Sequence, residues 1–335
     1  MRAIDPAFPS GDPVRRARLA MFAIVTLAVL AVAQPAAASA IAGTAATSTE
    51  NLLTWWKAAI LGIVEGLTEF LPISSTGHLL VTARLLNLPD EKGSAGLDAV
   101  NTYIVAIQFG AILAVLGLFW RRFVQMLQGL IGRNPEGRHL LITLVIAFLP
   151  AGVLGAALDS KIEDTLFGPW PIVIAWIIGG IVILALQHTG RIPDRDHLDA
   201  GRTNSLAAIT YQQALIIGLV QCIALCPGTS RSLATIIGAL LIGVSMPVAV
   251  EFSFLLGFVT LTAATLFKLA KDGGTLVDQF GVLDPLIGAA FAFVAAVLAI
   301  RWLISYLSKH DLTIFAWYRF IVAAITIVLL ATSVI

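Results

Sequence analysis

The sequence predicts an all-α polytopic membrane protein with an inverted-topology repeat, built from two re-entrant helix hairpins and six transmembrane helices. Three observations carry that prediction. Of 335 residues, 58% are hydrophobic and 12% charged, with a mean hydropathy of +0.92, about half the charge of an ordinary soluble domain. Six apolar runs are each long enough to cross a bilayer. Two further apolar segments are broken near their middles by prolines and hydroxyl residues. The net charge of +1 comes without a long run of like charge, so no field favours nucleic acid and membrane lipids are the expected surroundings.

Taken in order, the chain opens with a separate unit, residues 1–40. Arg15, Arg16 and Arg18 precede the apolar run Leu19 to Ala33 and the small residues Ala36 to Ala40. That pattern suits a secretory signal peptide cut near Ala38 to Ala40; a stretched run from Leu19 to Ala42 is the alternative, an extra N-terminal helix. The remainder, 41–335, reads as a single membrane domain. The expected crossings are Thr102 to Trp120, His139 to Leu158, Trp170 to Gln187, Val248 to Phe267, Leu283 to Leu303 and Phe315 to Val334. The broken segments are Leu52 to Leu86, interrupted by Pro72-Ile73-Ser74-Ser75-Thr76-Gly77, and Ile209 to Val244, interrupted by Pro227-Gly228-Thr229-Ser230-Arg231-Ser232. Each half of a broken segment is too short to cross, so each pair reads as a hairpin. Unpaired backbone at membrane depth survives only against protein or a wet cavity, so the breaks mark the expected site.

The two broken segments are diverged copies. Laying Leu61-Gly62-Ile63-Val64-Glu65 over Ile217-Gly218-Leu219-Val220-Gln221 brings Pro72 within one residue of Pro227, and a single gap then sets Ser75 on Ser230. Repeat 1 spans about 52–187 and repeat 2 about 209–335, each a hairpin followed by three crossings, and an odd number of crossings inverts the second copy. Loops 120–138, 188–207 and 301–314 hold nine Arg and Lys residues against five in the alternate loops, among them Lys92 and Lys161. The positive-inside rule therefore sets Arg121 and Arg191 in the cytoplasm.

Glu65 and Glu69 stand one helical turn apart and share a face. Carboxylates at membrane depth are expensive and mark function; a hard divalent cation that also bridges phosphate oxygens neutralises both. The structural alternative is that Glu69 pairs with Arg231 while Glu65 faces an interface. Past the first proline come Ser74, Ser75, Thr76 and His78. Ser75 with His78 can serve as nucleophile and base, or His78 can protonate the leaving oxygen; alternatively the serines cap a helix and His78 is a satisfied polar residue. The second break adds Thr229, Ser230, Arg231, Ser232 and Thr235, and the guanidinium of Arg231 matches phosphate oxygens at any working pH. Gln108, Gln213 and Gln221 either line the cavity or bond between helices, Glu251 lies near an interface facing water, and Trp55, Trp56 and Trp120 read as headgroup anchors. Cys222 and Cys226 read as buried small apolar residues.

The runs Glu65-Gly66-Leu67-Thr68-Glu69-Phe70-Leu71-Pro72-Ile73-Ser74-Ser75-Thr76-Gly77-His78 and Pro227-Gly228-Thr229-Ser230-Arg231-Ser232 closely resemble the two signatures of the bacterial undecaprenyl-diphosphatase family of bacitracin-resistance proteins. The resemblance covers about residues 52 to 335. It implies removal of the terminal phosphate from undecaprenyl diphosphate, a C55 lipid carrier of envelope synthesis, by a multi-pass inner-membrane enzyme whose site opens to the external side. It further implies that Glu65 and Glu69 form the acidic pair that binds metal, Ser75 the nucleophile, His78 the acid or base and Arg231 the phosphate clamp, with Mg2+ or Ca2+ required. Ser74, Thr76, Thr229, Ser230, Ser232 and Thr235 complete the expected phosphate-binding set. Leu233 departs from the pattern, standing where a glycine is expected after Ser-Arg-Ser. A homodimer is left open. The rival from another class is a secondary transporter or lipid-phosphate flippase, which shares the inverted-repeat plan but has no need of the hydroxyl and histidine set.

Overall fold

A computed structural model describes residues 53–89, 95–192 and 202–335. The predicted leader, and Lys92 and Arg195 of the loop-charge count, lie outside the described residues. Those residues form eleven α-helices and no strand: α1 (Trp55–Thr68), α2 (Ser75–Leu85), α3 (Ala95–Leu118), α4 (Trp120–Leu130), α5 (Pro135–Leu166), α6 (Pro169–His188), α7 (Tyr211–Gln221), α8 (Arg231–Leu241), α9 (Met246–Phe280), α10 (Leu283–Leu307) and α11 (Thr313–Ala331). A tight 3-10 turn, Cys222–Leu225, extends α7. Six of these helices, α3, α5, α6, α9, α10 and α11, are long and apolar enough to cross a membrane. They match the six expected runs, with α5 and α9 continuing beyond the expected ends at Leu158 and Phe267.

Three local expectations need correction. The basic loop 120–138 contains α4, whose Trp120, Phe123 and Met126 are buried at helical spacing. Its arginines masked that periodicity. Trp120 is therefore a core residue rather than a headgroup anchor, while Trp55 and Trp56 are exposed. Arg122 of α4 reaches Glu251 of α9 at 2.7 Å, so Glu251 does not simply face water. As a half-exposed pair it contributes at most about 1 kcal/mol.

Close packing of small residues sets the depth of the acidic helix. A Cβ on Gly62 would strike the backbone carbonyl of Gly288, and one on Gly66 would lie 2.8 Å from the Ala296 amide. Hence α1 and α10 touch backbone to backbone, as small-residue faces allow in membranes. Glu65 lies between those glycines on α1 and is fully buried by this contact. The second segment repeats the arrangement, since a Cβ on Gly218 of α7 would strike Ala147 of α5. Each broken segment thus packs on a long helix of the other half of the chain.

Helix ends revise the register between the two segments. Trp55 and Tyr211, Ser75 and Arg231, and Leu85 and Leu241 are helix termini spaced 156 residues apart. The residues preceding α2 and α8, Ser74 and Ser230, both take left-handed backbone, with φ of 72° and 78°. Ser230 is therefore the counterpart of Ser74 rather than of Ser75, and Arg231 is the counterpart of Ser75. No gap is needed: Pro72 and Pro227 hold different places in their turns, and aligning the prolines shifted the sequence match by one residue.

Candidate functional site

Both breaks bare carbonyl groups that no helix can satisfy, and side chains from elsewhere in the fold take them up. In the first break Leu71 accepts from Ser232 Oγ at 2.8 Å, Ile73 from Trp176 Nε1 at 2.9 Å and Ser74 from His78 Nδ1 at 2.6 Å. In the second, Arg319 of α11 donates to Gly228 O at 2.9 Å and Thr229 O at 2.7 Å, and its other nitrogen reaches Pro72 O at 3.4 Å. Ser230 Oγ also accepts from the Leu233 amide at 3.3 Å, capping α8. Leu233 itself is buried in the core, where its side chain contributes packing a glycine would not. The two tips are held together by one arginine and by the serines of one reaching the carbonyl of the other.

Glu69 is the centre of the site. Its Oε1, buried, accepts from the largely buried Arg231 at 3.0 Å, and its Oε2 accepts the hydroxyl proton of Ser75. Arg231 also donates to Ser253 O at 3.0 Å and lies 5.4 Å from the Phe70 ring centre. A cavity of about 180 Å³ opens beside these groups, lined by Glu69, Ser74, Ser75 and Thr76 from the first break and Ser230 and Arg231 from the second. The expected counter-ion role of Arg231 and its access to a ligand thus coexist. Because Gly257 leaves room for the guanidinium, with a Cβ there standing 2.5 Å from Arg231 Cζ, Gly257→Ala is expected to push Arg231 off Glu69. The check is a steady-state comparison in which the variant loses roughly tenfold or more in kcat/KM, the scale of a displaced charged contact.

Other expected site residues lie apart from the cavity. His78 is turned away: its Nδ1–H donates to Ser74 O, Nε2 meets the Tyr318 hydroxyl at 2.9 Å, and the ring stacks on Tyr318. Ser75 meets Glu69 instead. Ser232 and Thr235 bond within the protein, Thr235 to Ser253 Oγ at 2.6 Å, and Thr229 serves through its carbonyl. Of the three glutamines, Gln213 belongs to the capping box of α7, whereas Gln108 and Gln221 line the cavity. Neither cysteine is buried as expected: Cys222 is half-buried and donates to Gly218 O, while Cys226 is exposed at the cavity wall. The tight turn ahead of it ends in extended backbone and turns the thiol outward.

Arg319 and Trp176 are the functional residues the sequence reading passed over. Arg319 sits in the second turn of a 19-residue apolar helix and is fully buried. An ionised residue at that depth was itself a signal.

Glu65 supplies the test for a metal. Both of its carboxylate oxygens are buried without a partner among the described residues, and a bare buried carboxylate is costly unless a bound cation or a proton neutralises it. No group of three or more His, Cys, Asp or Glu suited to a metal occurs among the described residues. One or two carboxylates, with phosphate and water completing the shell, is the usual protein share for Mg2+, so the pair fits such an ion.

Known proteins resemble this chain over most of its length. The profile of the family described as bacitracin resistance protein BacA matches residues 58–325. Undecaprenyl-diphosphatase 2 of Rhodospirillum rubrum is 45% identical over 287 residues, covering 84% of this chain and 96% of its own length. The undecaprenyl-diphosphatases of Methylibium petroleiphilum and Methylococcus capsulatus are 46% and 44% identical, covering 80% and 83% of this chain and 93% and 95% of theirs. With a profile match across most of the chain and relatives aligned over nearly their whole length, the chain belongs to the bacitracin resistance protein BacA family.

Proposed function

We propose that this membrane protein hydrolyses undecaprenyl diphosphate to undecaprenyl phosphate and inorganic phosphate, returning the lipid carrier to cell-wall synthesis and conferring resistance to bacitracin. The observation that carries the reading is the double engagement of Glu69, with a serine proton on one oxygen and an arginine on the other. Ser75 Oγ attacks the terminal phosphorus as its proton passes to Glu69, the bond to the bridging oxygen breaks, and the lipid monophosphate leaves. Water then splits the phosphoseryl ester. Arg231, with the hydroxyls of Ser74, Thr76 and Ser230, holds phosphate oxygens throughout. A divalent cation at Glu65 and Glu69 would supply charge neutralisation on the phosphates. His78 anchors the first break through Ser74 O.

We place this chemistry in the inner membrane, between inverted halves whose re-entrant hairpins meet tip to tip, with the cavity opening to the external side. The alternating loop charges and the shared geometry of the two breaks support that arrangement. The experiment is phosphate release from C55 diphosphate by the purified protein in detergent with Mg2+. Wild-type protein should release phosphate and Ser75→Ala should lose at least about 100-fold, the low end for an essential positioned group. Absence of release by the wild type would end the diphosphatase reading; full activity in Ser75→Ala would end the role of Ser75 as nucleophile.

A further inference from the structure

We propose that the cavity opens sideways into the bilayer between α5 and the Cys222–Leu225 turn, and that the first isoprene units of a polyprenyl diphosphate lie in that opening. The inference rests on the diphosphatase reading. At about 180 Å³ the cavity is smaller than the ~300–1,000 Å³ pockets that enclose a drug-sized ligand. It admits a diphosphate headgroup and excludes a C55 chain, so the chain must leave it.

The exits are few. The first break is backed by α10 through Gly62 and Gly66, and Arg231 is pressed against Gly257 of α9. Of all the residues lining the cavity, Cys226 alone is exposed, and beside it the wall turns apolar through Ala151, Ala224 and Leu225. The rim just outside is apolar as well: Ile223 on the turn and Val153 on α5 are 59% and 63% exposed. Where α5 approaches the turn it presents a glycine and no side chain. A Cβ placed on Gly155 of α5 would meet only Leu225 Cδ2, at 3.4 Å. A polar wall that grades into an apolar, lipid-facing rim suits an amphiphile whose headgroup is buried and whose chain stays among lipid tails. A passage for free phosphate would need a polar rim.

Gly155→Trp tests the opening, because the position has room for a side chain and an indole there would lie across the rim without disturbing the polar residues. In the purified full-length variant, kcat/KM for C55 diphosphate is expected to fall roughly tenfold or more while that for five-carbon isopentenyl diphosphate stays within about twofold, since a blocked apolar contact discriminates by chain. A second measurement uses Cys226 in a Cys222→Ser background: C55 diphosphate should slow its alkylation by N-ethylmaleimide, and inorganic diphosphate should not. Parallel responses of the two substrates to Gly155→Trp, or alkylation that C55 diphosphate leaves unchanged, overturn the proposal. Failure of the wild type to release phosphate from either substrate instead removes the reading on which it rests.

Discussion

Replacing Glu69 by glutamine is expected to lower kcat by about 10²- to 10⁴-fold, the range associated with a positioned general base. The reason lies in the donor and acceptor count. Glu69 offers two acceptor oxygens, one to Arg231 at 3.0 Å and one to the Ser75 hydroxyl, whereas an amide offers one oxygen and one donor. If the amide oxygen faces Arg231, its NH2 meets Ser75 and no base remains. If it faces Ser75, a donor confronts the guanidinium and Arg231 is left a buried charge without its counter-ion, costing about 3–5 kcal/mol. Loss of rate is therefore expected in either orientation, with loss of thermal stability in the second. Because the base is proposed to work through Ser75, Glu69→Gln and Ser75→Ala together should lose little more than the worse single variant. A double variant whose losses multiply would separate the two residues and leave Glu69 acting only through Arg231.

Features that depend on long runs or strong breakers were legible in the sequence. Six apolar runs predicted six helices long enough to cross a membrane, and the Pro, Gly and Ser clusters located both breaks. The pairing of Glu69 with Arg231 was legible as a counter-ion relation, since two opposite charges in apolar surroundings have little else to meet. What escaped depended on tertiary contacts between distant residues. The partner of His78 is Tyr318, 240 positions away, and nothing near the Ser-Ser-Thr-Gly-His turn foretells that its ring will turn from Ser75. The register slip has a local cause. Serines flank both candidate alignments, and the left-handed backbone shared by Ser74 and Ser230, with the common spacing of the helix ends, distinguishes them. Helix α4 was hidden because the adjacent Arg121 and Arg122 give a short amphipathic segment the charge of a basic loop.

The second large effect belongs to Arg319, which does not line the cavity. Arg319→Leu should lower the thermal midpoint in detergent by roughly 10 °C, from a loss of about 3–5 kcal/mol in unsatisfied carbonyls at a few degrees per kcal/mol. The guanidinium is the donor to Gly228 O and Thr229 O in the second break and reaches Pro72 O in the first; a leucine leaves these carbonyls bare, at about 1–3 kcal/mol each. Left-handed backbone at a residue with a side chain costs about 1–3 kcal/mol and persists only where its surroundings over-determine it. Ser74 and Ser230 are such residues, and each leads directly into a functional side chain, Ser75 or Arg231. Activity should therefore fall with stability, through relaxation of both tips. Arg319→Lys keeps the charge but not the fork that spans several carbonyls, so it should rescue only part of either loss. Gly179→Ala separates geometry from charge, since its Cβ would stand 2.8 Å from Arg319 Cζ and displace an arginine that is still present. If Gly179→Ala behaved as wild type while Arg319→Leu failed, the contribution of Arg319 would lie in its charge. Matching losses in the two variants would assign it to the carbonyl contacts that hold the breaks.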